Sequence, residues 1–261
     1  MNIAVIPARF GSTRFPGKPL ALIKGRPMLW HVYQRAARAK LIDEVWVATD
    51  DERIYQAVKS WDGNVVMTRK DHPSGTDRVA EAISELSCEI VVNVQGDEPM
   101  IDPAIIDAVV DPLVRNKSLG IVTPITKICT KDDIFDPSVV KVVRDAEGFA
   151  LYFSRAPIPY ARDVKHFQPH LGDADEKKNR LELARHPYYR HIGLYAFHRE
   201  TLSRFCSLPP SELENTERLE QLRALAYGIP IYTVVVEYFG VGVDYPRDLA
   251  VVERLLSDNG E

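Results

Sequence analysis

The stretch NIAVIPARFGSTRFPGKPL, residues Asn2–Leu20, decides how the rest of the chain is read. Ile3, Ala4, Val5 and Ile6 form an apolar run with no polar interruption. Such a strand wants cover on both faces, as in the middle of a parallel sheet sandwiched by helices. Pro7 is expected to end it, because proline has no N–H to give a central ladder. The loop that follows carries Arg9, Arg14 and Lys18 among Gly11, Ser12, Thr13 and Gly17. Glycines let backbone N–H groups close on a ligand, and three fixed cations repel one another unless an anion sits among them. A nucleoside triphosphate meets that requirement; a solvated basic loop is the plainer alternative. Neither common phosphate motif is present. There is no G-x-G-x-x-G, and Gly11 and Gly17 are separated by five residues where a P-loop has four, with Pro19 in place of the metal-binding hydroxyl.

Working outward, Pro27 opens an amphipathic helix to about Lys40, with Leu29, Val32, Tyr33, Ala36 and Ala37 on one face. Val45–Thr49 is a second buried strand. It closes on Asp50-Asp51, a pair that can cap the next helix or bind metal or ribose. That helix runs to about Trp61, and Gly63–Met67 is a third strand. The order βαβαβ predicts an α/β fold with a parallel, doubly wound sheet. Arg69 to Arg78 then lead into a helix over Val79–Leu86. Ser74 or Thr76 can cap it, and its N-terminal N–H groups lie between Arg69 and Arg78. His72 reads as a loop residue. Glu89–Gln95 is another interior strand, released through Gly96-Asp97-Glu98-Pro99. Ligands of open α/β sheets sit beyond the carboxyl ends of the strands. Asp97 is therefore the foremost metal-ligand candidate, and its hard oxygens suit Mg²⁺, which takes one or two protein carboxylates beside phosphates.

Farther on, Ile105–Val114 reads as a helix and Gly120–Ile125 as a strand. Val139–Arg144 and Phe149–Phe153 flank the hairpin turn Asp145-Ala146-Glu147-Gly148. The change from βαβ units to hairpins divides the chain into a nucleotide-binding part (1–130), a smaller antiparallel lobe (131–210) and a return to the main domain (211–261). Ser154–Asp163 is extended, with Arg155 and Arg162 available to clamp a carboxylate. Val164–His186 is polar and aperiodic, a surface loop or short exposed helix. Tyr188–Phe197 is a strand that places Tyr189, His191, Gly193, Tyr195 and Phe197 on one face. His191 and Tyr195 there make either a polar wall for a small ligand or a hydrogen-bonded part of the core. Ser211 and Glu214 form a capping box for a helix ending before Gly228, with Leu219, Leu222 and Leu225 as its core stripe. Glu217, Glu220 and Gln221 give it a polar face, solvated or suited to sugar hydroxyls. Pro230–Glu237 is the last strand, and Asp244 precedes a final helix that it can cap.

The formal net charge of −4 argues against general affinity for nucleic acid. Cys88, Cys129 and Cys206 are odd in number and far apart, which fits a reducing compartment without a disulfide framework. Met1-Asn2 leads straight into the first strand, leaving no room for a signal peptide, and no apolar run approaches a membrane span. The expected location is the cytoplasm, without membrane insertion.

The segment Ile6–Leu20 resembles the opening of the sugar-acid cytidylyltransferases. The likeness extends in order through Ser74–Arg78, Gln95–Pro99, Val139–Asp163, His191–Phe197, Leu219–Arg223 and Gly242–Asp244. It is most similar to the branch acting on 3-deoxy-manno-octulosonate (Kdo); the Gly-Gly-Ser-Lys run usual in the sialic acid branch is absent. The resemblance implies a Rossmann-like nucleotide-diphospho-sugar transferase fold, with a mixed, mainly parallel sheet flanked by helices and a small antiparallel lobe. It implies transfer of CMP from CTP to the anomeric hydroxyl of Kdo for lipopolysaccharide biosynthesis, with 8-amino-Kdo or sialic acid as the alternative sugar acid. Asp97, Asp244, Lys18 and Arg9 are then the catalytic residues, with Mg²⁺ held by Asp97 and Asp244. Ala8, Arg9, Gly11, Ser12, Arg14, Lys18, Arg69, Ser74, Arg78, Gln95 and Asp97 surround the nucleotide. Gln95, Arg162, His191, Tyr195, Glu217, Glu220 and Gln221 hold the sugar acid, and the enzyme is a homodimer. Two departures stand out: the long Val164–His186 stretch, and Tyr245 where the family has threonine after the aspartate.

Overall fold

Strand β1 (Asn2–Ala8) is paired in parallel on both sides, and Ile3, Ala4, Val5 and Ile6 are fully buried. The computed structural model describes residues 1–11, 15–162, 188–238 and 240–258. Contrary to the sequence expectation, β1 runs through Pro7, which lies opposite Ala48. On the other side the ladder stops at Val5–Asn93, with the Val94 N–H donating to the Val5 carbonyl. Pro7, two residues on, faces that same finished side, so its missing N–H breaks no ladder bond.

A short hairpin, β2 (Leu22–Ile23) and β3 (Arg26–Pro27), precedes α1 (Met28–Ala36). The alternating part follows: β4 (Glu44–Thr49), α2 (Glu52–Lys59), β5 (Asn64–Met67), α3 (Gly75–Ala82), β6 (Ile90–Asn93), α4 (Pro103–Arg115) and β7 (Ile121–Lys127). Next come α5 (Lys131–Phe135), β8 (Lys141–Arg144), β9 (Ala150–Ser154), β10 (Tyr189–His191) and β11 (Tyr195–His198). The chain finishes with α6 (Arg199–Ser207), α7 (Glu212–Glu217), α8 (Gln221–Ala226), β12 (Ile231–Val235) and α9 (Pro246–Asp258).

Among the described residues ten strands form one mixed sheet in the order β5-β4-β1-β6-β11-β7-β10-β8-β9, with β12 also on β7. The first four are parallel, β11 is antiparallel between β6 and β7, and β12 is parallel to β7. The β8–β9 hairpin extends this same sheet through β10, and β2–β3 is a separate small antiparallel sheet. Alternate residues of β1 enter opposite layers. Ala4, Ile6 and Ala8 pack with Leu29, Ile54 and Ile106 of α1, α2 and α4, whereas Ile3 and Val5 pack with Val79, Leu202 and Leu222 of α3, α6 and α8.

Two elements differ from their sequence reading in ways that shape the site. The helix expected over 211–227 is two helices, because Arg218 adopts a left-handed φ of 54°. The strand expected over 188–197 is interrupted: from His191 to Ala196 the chain advances five residues while β7 advances three. The two extra residues form a bulge, the device by which a strand re-aims its side chains.

Candidate active site

Lys18 is the meeting point. Gly17 has φ of +74° and its N–H donates to the Phe10 carbonyl at 2.9 Å, closing the neck of the basic loop before a single 3-10 turn begins at Lys18. The Lys18 ammonium donates to Asp97 Oδ2 at 2.8 Å and to the Val243 carbonyl at 2.9 Å, and lies 4.0 Å from Asp244 Oδ1. Asp97 sits just past β6, as the strand-end rule requires. Glycine at position 96 lets the two strands' ends approach closely, since a Cβ there would stand 3.1 Å from the Pro7 carbonyl oxygen. The Val243 N–H donates to the Asp97 carbonyl at 2.9 Å, so the two acid-bearing loops are bonded directly to each other. Asp248, in the first turn of α9, accepts from the N–H groups of Asp244 (2.9 Å) and Tyr245 (2.8 Å). Those two bonds hold its carboxyl below the usual range and anchor the backbone at Asp244 and Tyr245. Two carboxylates with a lysine between them are hard oxygen donors. The described residues hold no group of three or more His, Cys, Asp or Glu fit for a metal. The Asp97 and Asp244 carboxylates are oxygen donors of the kind Mg²⁺ takes beside phosphate oxygens.

Around this point Ala8 is buried at the end of β1, and Arg9 and Gly11 are exposed just beyond it. Ser12 and Arg14 lie outside the described residues. Ser74 caps α3, accepting from the Asp77 N–H at 3.1 Å and donating to Asp77 Oδ2 at 2.7 Å. Arg78, only 1% exposed, donates to Thr68 Oγ1 (2.5 Å) and Asp50 Oδ2 (3.1 Å). It thus ties α3 to the segments following β4 and β5. Asp51 caps α2 through the Arg53 N–H, so the ambiguous acid pair divides into one cap and one half-buried counterion to Arg78. Arg69 is exposed and bonds Glu81 at 3.3 Å; His72 bonds the same carboxylate.

The bulge builds a second wall. His191 and Tyr195 project together, their rings 5.2 Å apart, and Gly193 lies against the Gln95 side chain. The Thr123 hydroxyl donates to the Leu194 carbonyl at 2.8 Å and contacts His191 Nε2 at 2.9 Å. With its one proton on that carbonyl, Thr123 can only accept from the ring, which fixes the Nε2–H tautomer. Burial, aided by Arg190, lowers the His191 pKa to about 3, and burial with Glu220 nearby raises the Tyr195 phenol. Glu220 Oε2 accepts from Thr76 at 2.6 Å, and Thr76 accepts from Asn93 at 3.2 Å. Burial raises the Glu220 carboxyl against the pull of the Ser74 and Thr76 hydroxyls. Glu220 Oε1 and Gln221 Nε2 are buried polar atoms without a hydrogen-bond partner among the described residues. Both residues line a small cavity of about 10 Å³, about the room one water molecule takes, that Thr76 and Tyr195 also border.

Glu217 and Arg155 are engaged elsewhere. Glu217 accepts from the Ser154 hydroxyl (2.6 Å) and the Arg155 N–H (3.0 Å), while the Arg155 guanidinium donates to the Glu217 and Pro137 carbonyls. Arg162 is exposed at the edge of the described residues, and 164–186 falls outside them. Sequence reasoning did not single out Asn93, Thr123 or Tyr238. The first two could have been flagged as polar residues inside otherwise apolar strands. The Tyr238 hydroxyl donates to Glu98 Oε2 at 2.7 Å and steadies the loop bearing Asp97.

A half-buried, neutral His191 has a stability signature. Its folded pKa is depressed below that of the unfolded chain, so its contribution is present above pH 6.5 and is lost as pH falls toward 3. Between pH 7 and pH 5 this amounts to about 2 kcal/mol. Urea unfolding at the two pH values should show that increment in the native chain and not in His191→Gln. An equal pH dependence in both would show that the ring is not held neutral.

A helix-flanked mixed sheet that gathers a lysine and two acids beyond its parallel strands is the layout of a nucleotide-handling α/β enzyme. The family model described as cytidylyltransferase matches residues 3–231, and the chain belongs to that family. It is 51% identical to a 3-deoxy-manno-octulosonate cytidylyltransferase of Geobacter sulfurreducens over 98% of this chain and 100% of the relative. It is 48% identical to the protein of the same name in Thermodesulfovibrio yellowstonii, over 98% of each. Among solved structures, a CMP:2-keto-3-deoxy-manno-octonic acid synthetase complexed with CTP superposes with a TM-score of 0.88 at 41% identity, covering 99% of both chains.

Proposed function

We propose that the chain transfers CMP from CTP to the anomeric hydroxyl of Kdo, giving CMP-Kdo and pyrophosphate. The observation that carries this is the convergence of Lys18, Asp97 and Asp244, from three distant segments, in a chain so similar to enzymes named for that reaction. The sugar oxygen forms a bond to the α-phosphorus as the bond from that phosphorus to the β-phosphate bridging oxygen breaks, and the hydroxyl proton is released. Charge builds on the phosphate oxygens, so catalysis consists chiefly of positioning and electrostatic stabilisation. Lys18 and Arg9 supply fixed positive charge to the triphosphate. Asp97 and Asp244 would hold Mg²⁺, which supplies charge neutralisation at the phosphates. His191, Tyr195, Glu220 and Gln221 line the place for the sugar acid, with Gln95 between the two halves and Arg162 at the rim. Neutral His191 offers Nδ1 as an acceptor, and Glu220 Oε1 and Gln221 Nε2, which have no hydrogen-bond partner among the described residues, are suited to sugar hydroxyls.

The product feeds lipopolysaccharide assembly from the cytoplasm in this proposal, and the enzyme works as a homodimer. The outermost strand β9, with Leu151 62% exposed, supports a dimer interface. No helix among the described residues is long and apolar enough to cross a membrane. The test is pyrophosphate release with Mg²⁺ across a panel of nucleoside triphosphates and 2-keto sugar acids. CTP with Kdo should give the largest kcat/KM. A larger value for 8-amino-Kdo or sialic acid would reassign the acceptor, and no release with any pair would overturn the proposal.

A further inference from the structure

The neck of the basic loop is braced from α2. Phe10 and Gly17 are joined by a backbone hydrogen bond of 2.9 Å, and the Phe10 ring lies so close over Gly17 that a Cβ there would stand 3.0 Å from its Cζ. The Arg53 guanidinium stacks on the Phe10 ring, its central carbon 3.3 Å from the ring centroid. Arg53 is itself held by a two-pronged pair with Asp51, Nε to Oδ1 at 2.9 Å and the terminal nitrogen to Oδ2 at 2.7 Å. The order of contacts is therefore Asp51, Arg53, Phe10, Gly17, and the next residue is Lys18. A guanidinium presses on a ring face more effectively when a bidentate carboxylate fixes its plane.

We infer that Arg53 is a positioning residue for CTP: acting through Phe10, it sets the neck of the loop so that Lys18 is already placed when the triphosphate arrives. Lys18 touches the phosphates in the proposed reaction; Arg53 acts through the ring that fixes the turn before it. The inference rests on the proposed cytidylyl transfer for its substrate, but its test reads nucleotide binding directly. Loss of preorganisation weakens binding without removing a contact to the ligand.

Arg53 is an exposed side chain on the first turn of its helix, so Arg53→Ala leaves the core intact. Calorimetric titration with CTP and Mg²⁺ should show Kd raised about fivefold in Arg53→Ala and in Phe10→Leu, the ratio that a cation–ring contact of ordinary strength corresponds to. The double variant should be little worse than either single one, because both remove the same contact. Arg53→Lys should recover part of the loss. The KM for Kdo should stay within about twofold of the native value, which separates a nucleotide brace from general loosening of the fold. Unchanged CTP affinity in Arg53→Ala, or equal rises for CTP and Kdo, would overturn the inference while leaving cytidylyl transfer standing. Weakened CTP binding in the variants, with no CMP-Kdo formed by the native chain, would do the reverse.

Discussion

Asp97→Asn is expected to lower turnover at least ~10²-fold at saturating CTP, Kdo and Mg²⁺, and Asp244→Asn to do the same, the scale of losing one preorganised charge-stabilising group. The substitution keeps the side chain's size and leaves an amide oxygen for Lys18. It also leaves the Val243 N–H to Asp97 carbonyl bond untouched, because that bond is made by the backbone. What disappears is one negative charge from a site where the acids face a half-buried ammonium. Neither carboxylate is part of the core: their side chains are 37% and 61% exposed, so unfolding temperatures should barely move. The loss should fall on kcat more than on the KM for Kdo. Residues that act as a unit are strongly non-additive, so the double variant should be little slower than the worse single one. Near-native turnover in either single variant would falsify the metal role assigned to that residue.

The placement of Asp97 was legible from local pattern alone. An apolar strand that closes on Gly-Asp-Glu-Pro points an acid beyond the sheet, and the structure brings it to Lys18. Most of the parallel half was equally plain, since Ile3–Ile6 and Ile90–Asn93 are buried runs of the kind that only a covered strand requires. Asp244 was different. Nothing near it distinguishes an acid that meets Lys18 from one that caps a helix, and only the family resemblance linked it to Asp97. Arg78 is expected at the nucleotide from the Ser74–Arg78 resemblance, and Glu217 at the sugar from the polar face it shares with Glu220 and Gln221. Their partners, Asp50 and the Ser154–Arg155 segment, come from remote parts of the sequence, and no local pattern announces them. The bulge after His191 was hidden for the same reason. Alternation predicts one continuous strand, but the Thr123 hydroxyl on β7 supports a looped-out carbonyl there. Local periodicity therefore finds the sheet, and cross-strand bonding decides where it opens to make a site.

Lys18→Met should be the most informative change in the basic loop. The Lys18 side chain is 15% exposed and is wedged between Asp97 Oδ2 and the Val243 carbonyl, so methionine fills the same channel without the charge. With the ammonium gone from its place beside the triphosphate, kcat/KM for CTP should fall by about 10²-fold, while the KM for Kdo changes little. A second consequence follows from its resting position. With no nucleotide bound, the ammonium is the counterion that lets two carboxylates stand near each other, and it competes with any cation that would take its place. Removing it should therefore lower the Mg²⁺ concentration needed for half-maximal rate even as the maximal rate drops. Lys18→Arg should not rescue, because a planar guanidinium does not fit where an ammonium donates to a carboxylate and a carbonyl at 2.8 and 2.9 Å. Initial rates measured over a grid of CTP and Mg²⁺ concentrations separate the two effects. A variant with unchanged nucleotide dependence would remove the loop from the chemistry. One that needed more Mg²⁺ would show that the lysine assists the cation instead of standing in for it.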